Sequence, residues 1–240
     1  MTAPSQLEPP QSTEIQALFN RIAPAYDPLN DWLSLGQHRV WKQMAVRWSD
    51  AQPGDCCLDL CCGSGDLARR LARQVGKTGS VYGLDFSAAQ LAIAAQRTHE
   101  SVQPLNVTWV EGDALNLPFE TAQFDAATMG YGLRNVLDIP RSLSELHRVL
   151  KAGATAAILD FHQPKSVWIR EFQQWYLANL VVPMAESLNL KQEYAYIMPS
   201  LERFPTGADQ VALARQAGFS QAIHYPIAGG IMGVLVVQKP

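Results

Sequence analysis

The chain has 240 residues, 48% of them hydrophobic, enough to bury one sizeable core, and it reads as a single domain over 13–240 behind a tail at 1–12. Its formal net charge of −3 leaves no basic footprint, which argues against a nucleic-acid partner. No apolar run reaches spanning length and the first ten residues lack the apolar centre of a signal peptide, so the expected location is the cytoplasm, free or at the edge of a membrane.

Residues 1–12 are rich in Pro, Gln and Ser and cannot bury enough apolar surface to repay ordering. From Thr13 to Trp48 a helical pattern is interrupted at Pro24, Pro28 and Ser34-Leu35-Gly36, which predicts a helical cover (13–48) resuming at His38. Beyond Asp55, strand-like and helix-like stretches alternate, the pattern of parallel strands joined by crossover helices. The expected strands are Cys56–Cys61, Ser80–Leu84, Leu105–Val110, Phe124–Met129 and Ala154–Phe161. Asp66–Gln74, Ala88–His99 and Ile139–Leu150 are the helices between them, with a turn at Lys151-Ala152-Gly153. An insertion (162–205) follows, in which Phe172, Trp175, Tyr176, Leu180 and Val181 recur at helical spacing; this stripe either packs on the sheet or walls a substrate site. Phe219–Tyr225 and Met232–Gln238 then flank Pro226 to Gly230 as a C-terminal antiparallel hairpin. The sum is an α/β fold, a doubly wound, seven-stranded, mostly parallel Rossmann-like sheet with two antiparallel strands.

All four cysteines, Cys56, Cys57, Cys61 and Cys62, fall where neighbours on a strand alternate faces, so they are expected to pack rather than to converge on a metal. Chemistry is concentrated instead at the strand ends. Gly63-Ser64-Gly65 follows an apolar strand and opens a helix, so its backbone can approach a ligand closely. That turn alone also fits a dinucleotide. Asp59, a carboxylate inside an apolar strand, is costly unless it orders the loop or meets a cation, and together with Asp66 it would repel a pyrophosphate. The charges therefore favour an adenosyl sulfonium amino acid, whose ammonium group Asp59 would meet. Asp85 ends the second strand at the spacing from Gly65 that lets a carboxylate grip both hydroxyls of a ribose. Glu111-Gly112-Asp113-Ala114 ends the third strand with a turn placed to read an adenine. Taken singly, Asp85 is equally a helix cap and Asp113 a turn acceptor.

At this point the residues resemble those of class I methyltransferases, and more narrowly the ubiquinone/menaquinone biosynthesis C-methyltransferase family. Tyr26 to Ser34 with His38 and Trp41 is similar to that family's N-terminal signature, Arg148-Val149-Leu150-Lys151-Ala152-Gly153 to its second, and Gly130 to Val136 to its loop after the fourth strand. Ala152-Gly153 replaces the usual Pro-Gly, and Asp160-Phe161-His162 the usual Glu-x-Ser. Trp32 to Gly36, Ala127 to Gly132 and Ile158 to His162 most resemble the photosynthetic branch that makes phylloquinone. The resemblance implies S-adenosyl-L-methionine as cofactor, held by Asp59, Gly63, Ser64, Gly65, Asp85, Phe86, Asp113, Ala114 and Gly130. It implies C-methylation of a lipophilic demethylated naphthoquinol, and hence peripheral membrane contact.

Deprotonating a quinol hydroxyl would activate the ring carbon, and the residues expected to do this lie over the strand ends: Arg134, Asn135, Asp27, Tyr26 and His38. Arg134 could steady a quinolate oxygen or pair with an acid such as Asp138. His38 could take a proton or simply pack, and Asp27 before Pro28 is also a turn former. Two other classes stay open at this level: an NAD-linked oxidoreductase sharing the glycine turn and Asp85, and a quinone carrier that kept the fold without the chemistry.

Overall fold

The computed structural model describes residues 34, 36–183 and 197–240. Seven strands form one sheet: β1 Cys56–Leu60, β2 Ser80–Asp85, β3 Val107–Glu111, β4 Phe124–Gly130, β5 Leu150–Phe161, β6 Gln221–Ile227 and β7 Met232–Gln238. Their order is β3-β2-β1-β4-β5-β7-β6, with β1 to β5 mutually parallel. Central strands buried on both faces must be apolar throughout, and β1 and β4 are nearly so. Leu58, Leu60, Phe124 and Met129 pack on one face with Leu143 and Leu146; Cys57, Val81 and Ala126 pack on the other with Leu71, Val75, Ala45 and Val46.

The helices supplying those partners are α1 Gln37–Trp48, α2 Asp66–Val75, α3 Ala88–His99 and α4 Ile139–Val149. In α2 the buried residues Leu67, Ala68, Leu71, Ala72 and Val75 form one stripe at helical period. Ser87 caps α3 by accepting from the Gln90 N–H, and Asp138 caps α4 by accepting from Arg141. The chain winds one way from β1 to β3 and the other way from β4, so a crevice opens outside the carboxyl ends of β1 and β4.

Three features differ from the sequence reading. β5 starts at Leu150 and absorbs the expected turn at Lys151-Ala152-Gly153 as a bulge, since the partner of Phe124 is Leu150 but that of Ala126 is Thr155. Only β7 runs against the sheet: it is antiparallel to both β5 and β6, so two reversals leave β6 pointing with β5. Pro226 is tolerated in β6 because that strand is an edge. Finally, α5 Val167–Tyr176, which continues through a π turn at Leu177–Val181, does not lay its aromatic stripe on the sheet. Trp168, Phe172 and Trp175 are 82%, 56% and 53% exposed. α6 Ile197–Arg203 and α7 Gly207–Gln216, the latter begun by a Thr206/Asp209 capping box, complete the elements. Tyr26, Asp27 and most of the N-terminal cover lie outside the described residues, as does 184–196 of the insertion.

Candidate active site

The crevice holds a cavity of about 540 Å³. Asp59, Gly63, Ser64, Asp85, Phe86, Asp113, Ala114 and Gly130 all line it. Gly65, also expected there, does not. It takes φ +79°, and a Cβ on it would lie 2.4 Å from the Trp109 ring, so the glycine is required by an indole packed beneath the turn. Gly63, at φ +52°, faces the cavity, and a Cβ on it would meet only Gln90 Oε1 at an ordinary contact of 3.8 Å.

Asp85 holds the turn against β2. Its Oδ2 accepts from the Gly63 N–H at 2.8 Å and its Oδ1 from the Ser87 N–H at 2.9 Å. It is thus an N-terminal loop fastener and a cavity wall at once. Asp113 Oδ1 accepts from the Leu115 N–H at 2.9 Å and shapes the next turn, where Ala114 is buried. Gln90 lines the same cavity near Gly63, with its Oε1 buried and without a partner among the described residues.

Asp59 is fully buried. Thr128 donates its hydroxyl to Asp59 Oδ1 at 2.8 Å, while Oδ2 has no hydrogen-bond partner among the described residues. Burial raises its carboxyl to about 7, against the opposing pull of the Thr128 hydroxyl, the Ala68 amide and the Lys42 ammonium. One residue into α2, Asp66 behaves oppositely. Burial pushes it up, but Lys42, Arg70 and Arg69 outweigh this and hold it near 2. Lys42 Nζ reaches Asp66 Oδ2 at 3.0 Å from α1, across the cavity wall. At the same carboxyl ends of the strand pair, Cys61 and Tyr131 both adopt left-handed backbone at φ 54° and 61°, strain localised where β1 and β4 meet the cavity.

The loop after β4 closes the opposite side. Asn135 lines the cavity, donates an Nδ2 hydrogen to the Tyr131 carbonyl at 3.0 Å, and leaves its buried Oδ1 without a hydrogen-bond partner among the described residues. Arg134 is turned away. Its Nη1 lies 3.4 Å from Asp160 Oδ1, its amide donates to Asp160 Oδ2 at 3.0 Å, and its guanidinium lies over Phe161 at 5.0 Å. The acid it meets is therefore Asp160 on β5, not Asp138, which caps α4. His38 is buried in α1 with Nδ1 2.8 Å from Ser34 Oγ and does not line the cavity.

The description of the ubiE/COQ5 methyltransferase family matches residues 8–239. The chain belongs to the ubiE/COQ5 methyltransferase family. It is 64% identical over 228 residues to a 2-phytyl-1,4-naphthoquinone methyltransferase of Trichormus variabilis, covering 95% of this chain and all of that one. The protein of that name in Nostoc punctiforme is 66% identical, at 95% and 99% coverage. The chloroplastic 2-phytyl-1,4-beta-naphthoquinone methyltransferase of Arabidopsis thaliana is 53% identical, at 95% and 88%. Among solved structures, a SAM-dependent methyltransferase of Thermotoga maritima superposes with a TM-score of 0.64 at 21% identity, over 93% of this chain and 99% of that one. One from Aquifex aeolicus gives 0.61 at 16%, over 83% and 89%; both likenesses show the shared fold.

Within this ubiE/COQ5 frame, sequence reasoning passed over Lys42, Gln90 and Tyr131. Gln90 sits one turn into a capped helix, a position whose direction is readable only once the Ser87 cap is placed. Lys42 carried one usable signal, a cation on a helix that also presents His38 and Trp41.

Proposed function

We propose that this chain is a 2-phytyl-1,4-naphthoquinone methyltransferase that transfers the methyl group of S-adenosylmethionine to a ring carbon of the reduced, quinol form. The carrying observation is the 64–66% identity to cyanobacterial proteins of that name, spread over 95% of this chain. An oxidoreductase or an inert carrier explains that breadth poorly, because the relatives named as methyltransferases match over nearly the whole chain.

The cavity residues fit the donor. Asp59 Oδ2 is a buried acceptor awaiting a cation, Gln90 Oε1 a second acceptor beside Asp85, and the Gly63 turn leaves room for close approach. In this reading Asp59 holds the ammonium group, Asp85 and Gln90 the ribose hydroxyls, and the Asp113-Ala114 turn the adenine. When bound, the donor supplies a methyl group on a positive sulfur that leaves as a neutral thioether. A ring C–H becomes C–CH3 and one proton is released.

The acceptor needs a hydroxyl oriented and deprotonated. Asn135 Oδ1 can accept from a quinol hydroxyl but cannot take its proton, so it orients. Arg134, tied to Asp160, fixes the loop that carries Asn135. On the resemblance of Tyr26 to Ser34 to the family signature, Tyr26 and Asp27 are assigned the proton, and an Asp27→Asn variant should lose the rise in kcat on the acidic limb of the pH profile while keeping donor affinity.

A phytyl chain partitions into lipid, and no helix of the described residues is long and apolar enough to cross a membrane. The enzyme then meets its substrate at a membrane edge, through the exposed aromatic face of α5. Competition between phytylated and polyprenylated demethylnaphthoquinols tests the substrate assignment: the phytylated quinol should be consumed first, and equal consumption contradicts it.

A further inference from the structure

The donor end of the cavity contains one residue that no role above requires. Lys42 comes from α1, outside the strand-helix units that build the crevice, yet its side chain is 94% buried against the cavity wall. An ammonium group has three N–H donors, and among the described residues Lys42 makes a hydrogen bond to a single acceptor, Asp66 Oδ2, with the Tyr131 ring 5.9 Å away. Burying a long cationic side chain with donor capacity in hand is expensive unless a ligand completes it.

The surrounding charge says what that ligand is. Asp66 is shared by three cations, Lys42, Arg69 and Arg70, so this corner carries more positive than negative charge even with Asp59 ionised. The α2 N-terminus, which carries the positive end of the helix dipole and has no side-chain cap, adds to the same sign. Beside it lies Asp59 Oδ2, fully buried, without a partner, and near enough for the Lys42 charge to act on it. An unfilled acceptor next to an under-used ammonium is the pattern that recognises a zwitterionic α-amino acid: cation to Asp59, carboxylate to Lys42.

We propose that Lys42 binds the α-carboxylate of the donor's amino-acid end, with Asp66 holding the ammonium in place between turnovers. Lys42 then distinguishes complete adenosyl amino acids from adenosyl thioethers lacking the carboxylate. Because it stands on α1, donor binding also fastens the N-terminal helix to the sheet. The inference rests on the donor assigned above.

Calorimetric binding of three probes tests it: S-adenosylhomocysteine, its decarboxylated analogue and 5′-methylthioadenosine. Wild-type protein should bind S-adenosylhomocysteine about tenfold or more tightly than the decarboxylated analogue. Lys42→Met should erase that preference while leaving methylthioadenosine affinity within about twofold, and Lys42→Arg should keep most of it. If Lys42 only ties α1 to α2, Lys42→Met weakens all three alike, which overturns the proposal. A wild-type protein indifferent to the carboxylate overturns it without any variant. Should wild-type protein bind none of the three, the donor assignment itself fails and takes this one with it.

Discussion

A carboxylate with no exposed surface and, among the described residues, one unpartnered oxygen, Asp59, is the residue to which the proposed donor site assigns recognition of the ammonium group. Its folded value near 7 lies above the ordinary 3.8, so the folded chain keeps a proton there that the unfolded chain has lost. Stability from this group is accordingly greatest at low pH, declines as pH rises from about 4 to about 7, and is level beyond. Asp59→Asn should remove that decline, raising the melting temperature of the ligand-free protein at pH 8 while lowering S-adenosylhomocysteine affinity more than about tenfold. In the wild type the same affinity should fall as pH drops through about 7, because Thr128, Ala68 and Lys42 only partly offset burial and Asp66 works against ionisation. Titration calorimetry between pH 6 and 8 reads this; a flat profile contradicts it. Gly65→Ala makes a different point. It would place a Cβ 2.4 Å from the Trp109 ring at a positive φ and should cost about 2–4 kcal/mol in urea unfolding, whereas Gly63→Ala should cost less in stability and more in donor affinity. Asp59, Asp85 and the glycine turn were legible because acids and glycines at strand ends break an apolar pattern. Lys42 and Gln90 were not, since a polar residue on an amphipathic helix breaks nothing.

The loop after β4 and helix α5 are the elements to which the proposed function assigns the acceptor side. Arg134 and Asp160 are both nearly buried, so Arg134→Ala strands a carboxylate and should destabilise by about 3–5 kcal/mol, with Asp160→Asn in the same chain restoring part of it. Turnover should fall and donor affinity hold within about twofold, because the cofactor residues do not touch this pair. Such a rescue would mark Arg134 as a positioning residue; full loss of donor binding would not fit. On α5, Trp168→Ser with Trp175→Ser should reduce sedimentation with anionic lipid vesicles severalfold without altering methylation of a short-chain, water-soluble quinol. The sequence stripe on this helix was visible, but periodicity reports only that one face is apolar, not which neighbour it meets. For the same reason the two C-terminal strands were found while their order was not: a hairpin can add to a sheet by either strand, and here β7 inserts beside β5.

At the scale of the whole molecule, the sheet reversal between β1 and β4 brings residues from five chain segments to one crevice, and the family frame extends over residues 8–239. Strand and helix order was readable from alternating apolar periods, because each βαβ unit is set locally. α6 and α7 were missed, as their short amphipathic runs sit behind an aromatic stripe that dominated the pattern. The donor site is built by physics that a sequence displays, whereas the acceptor is named by kinship, so the acceptor is where the account is most exposed. The most direct test incubates the enzyme with 2-phytyl-1,4-naphthoquinol and S-adenosylmethionine carrying a deuterated methyl group, then analyses the quinone by mass spectrometry. The account predicts one labelled methyl group on the unsubstituted quinone-ring carbon next to the phytyl-bearing one. Recovery of unlabelled substrate, or of label on oxygen, would contradict it.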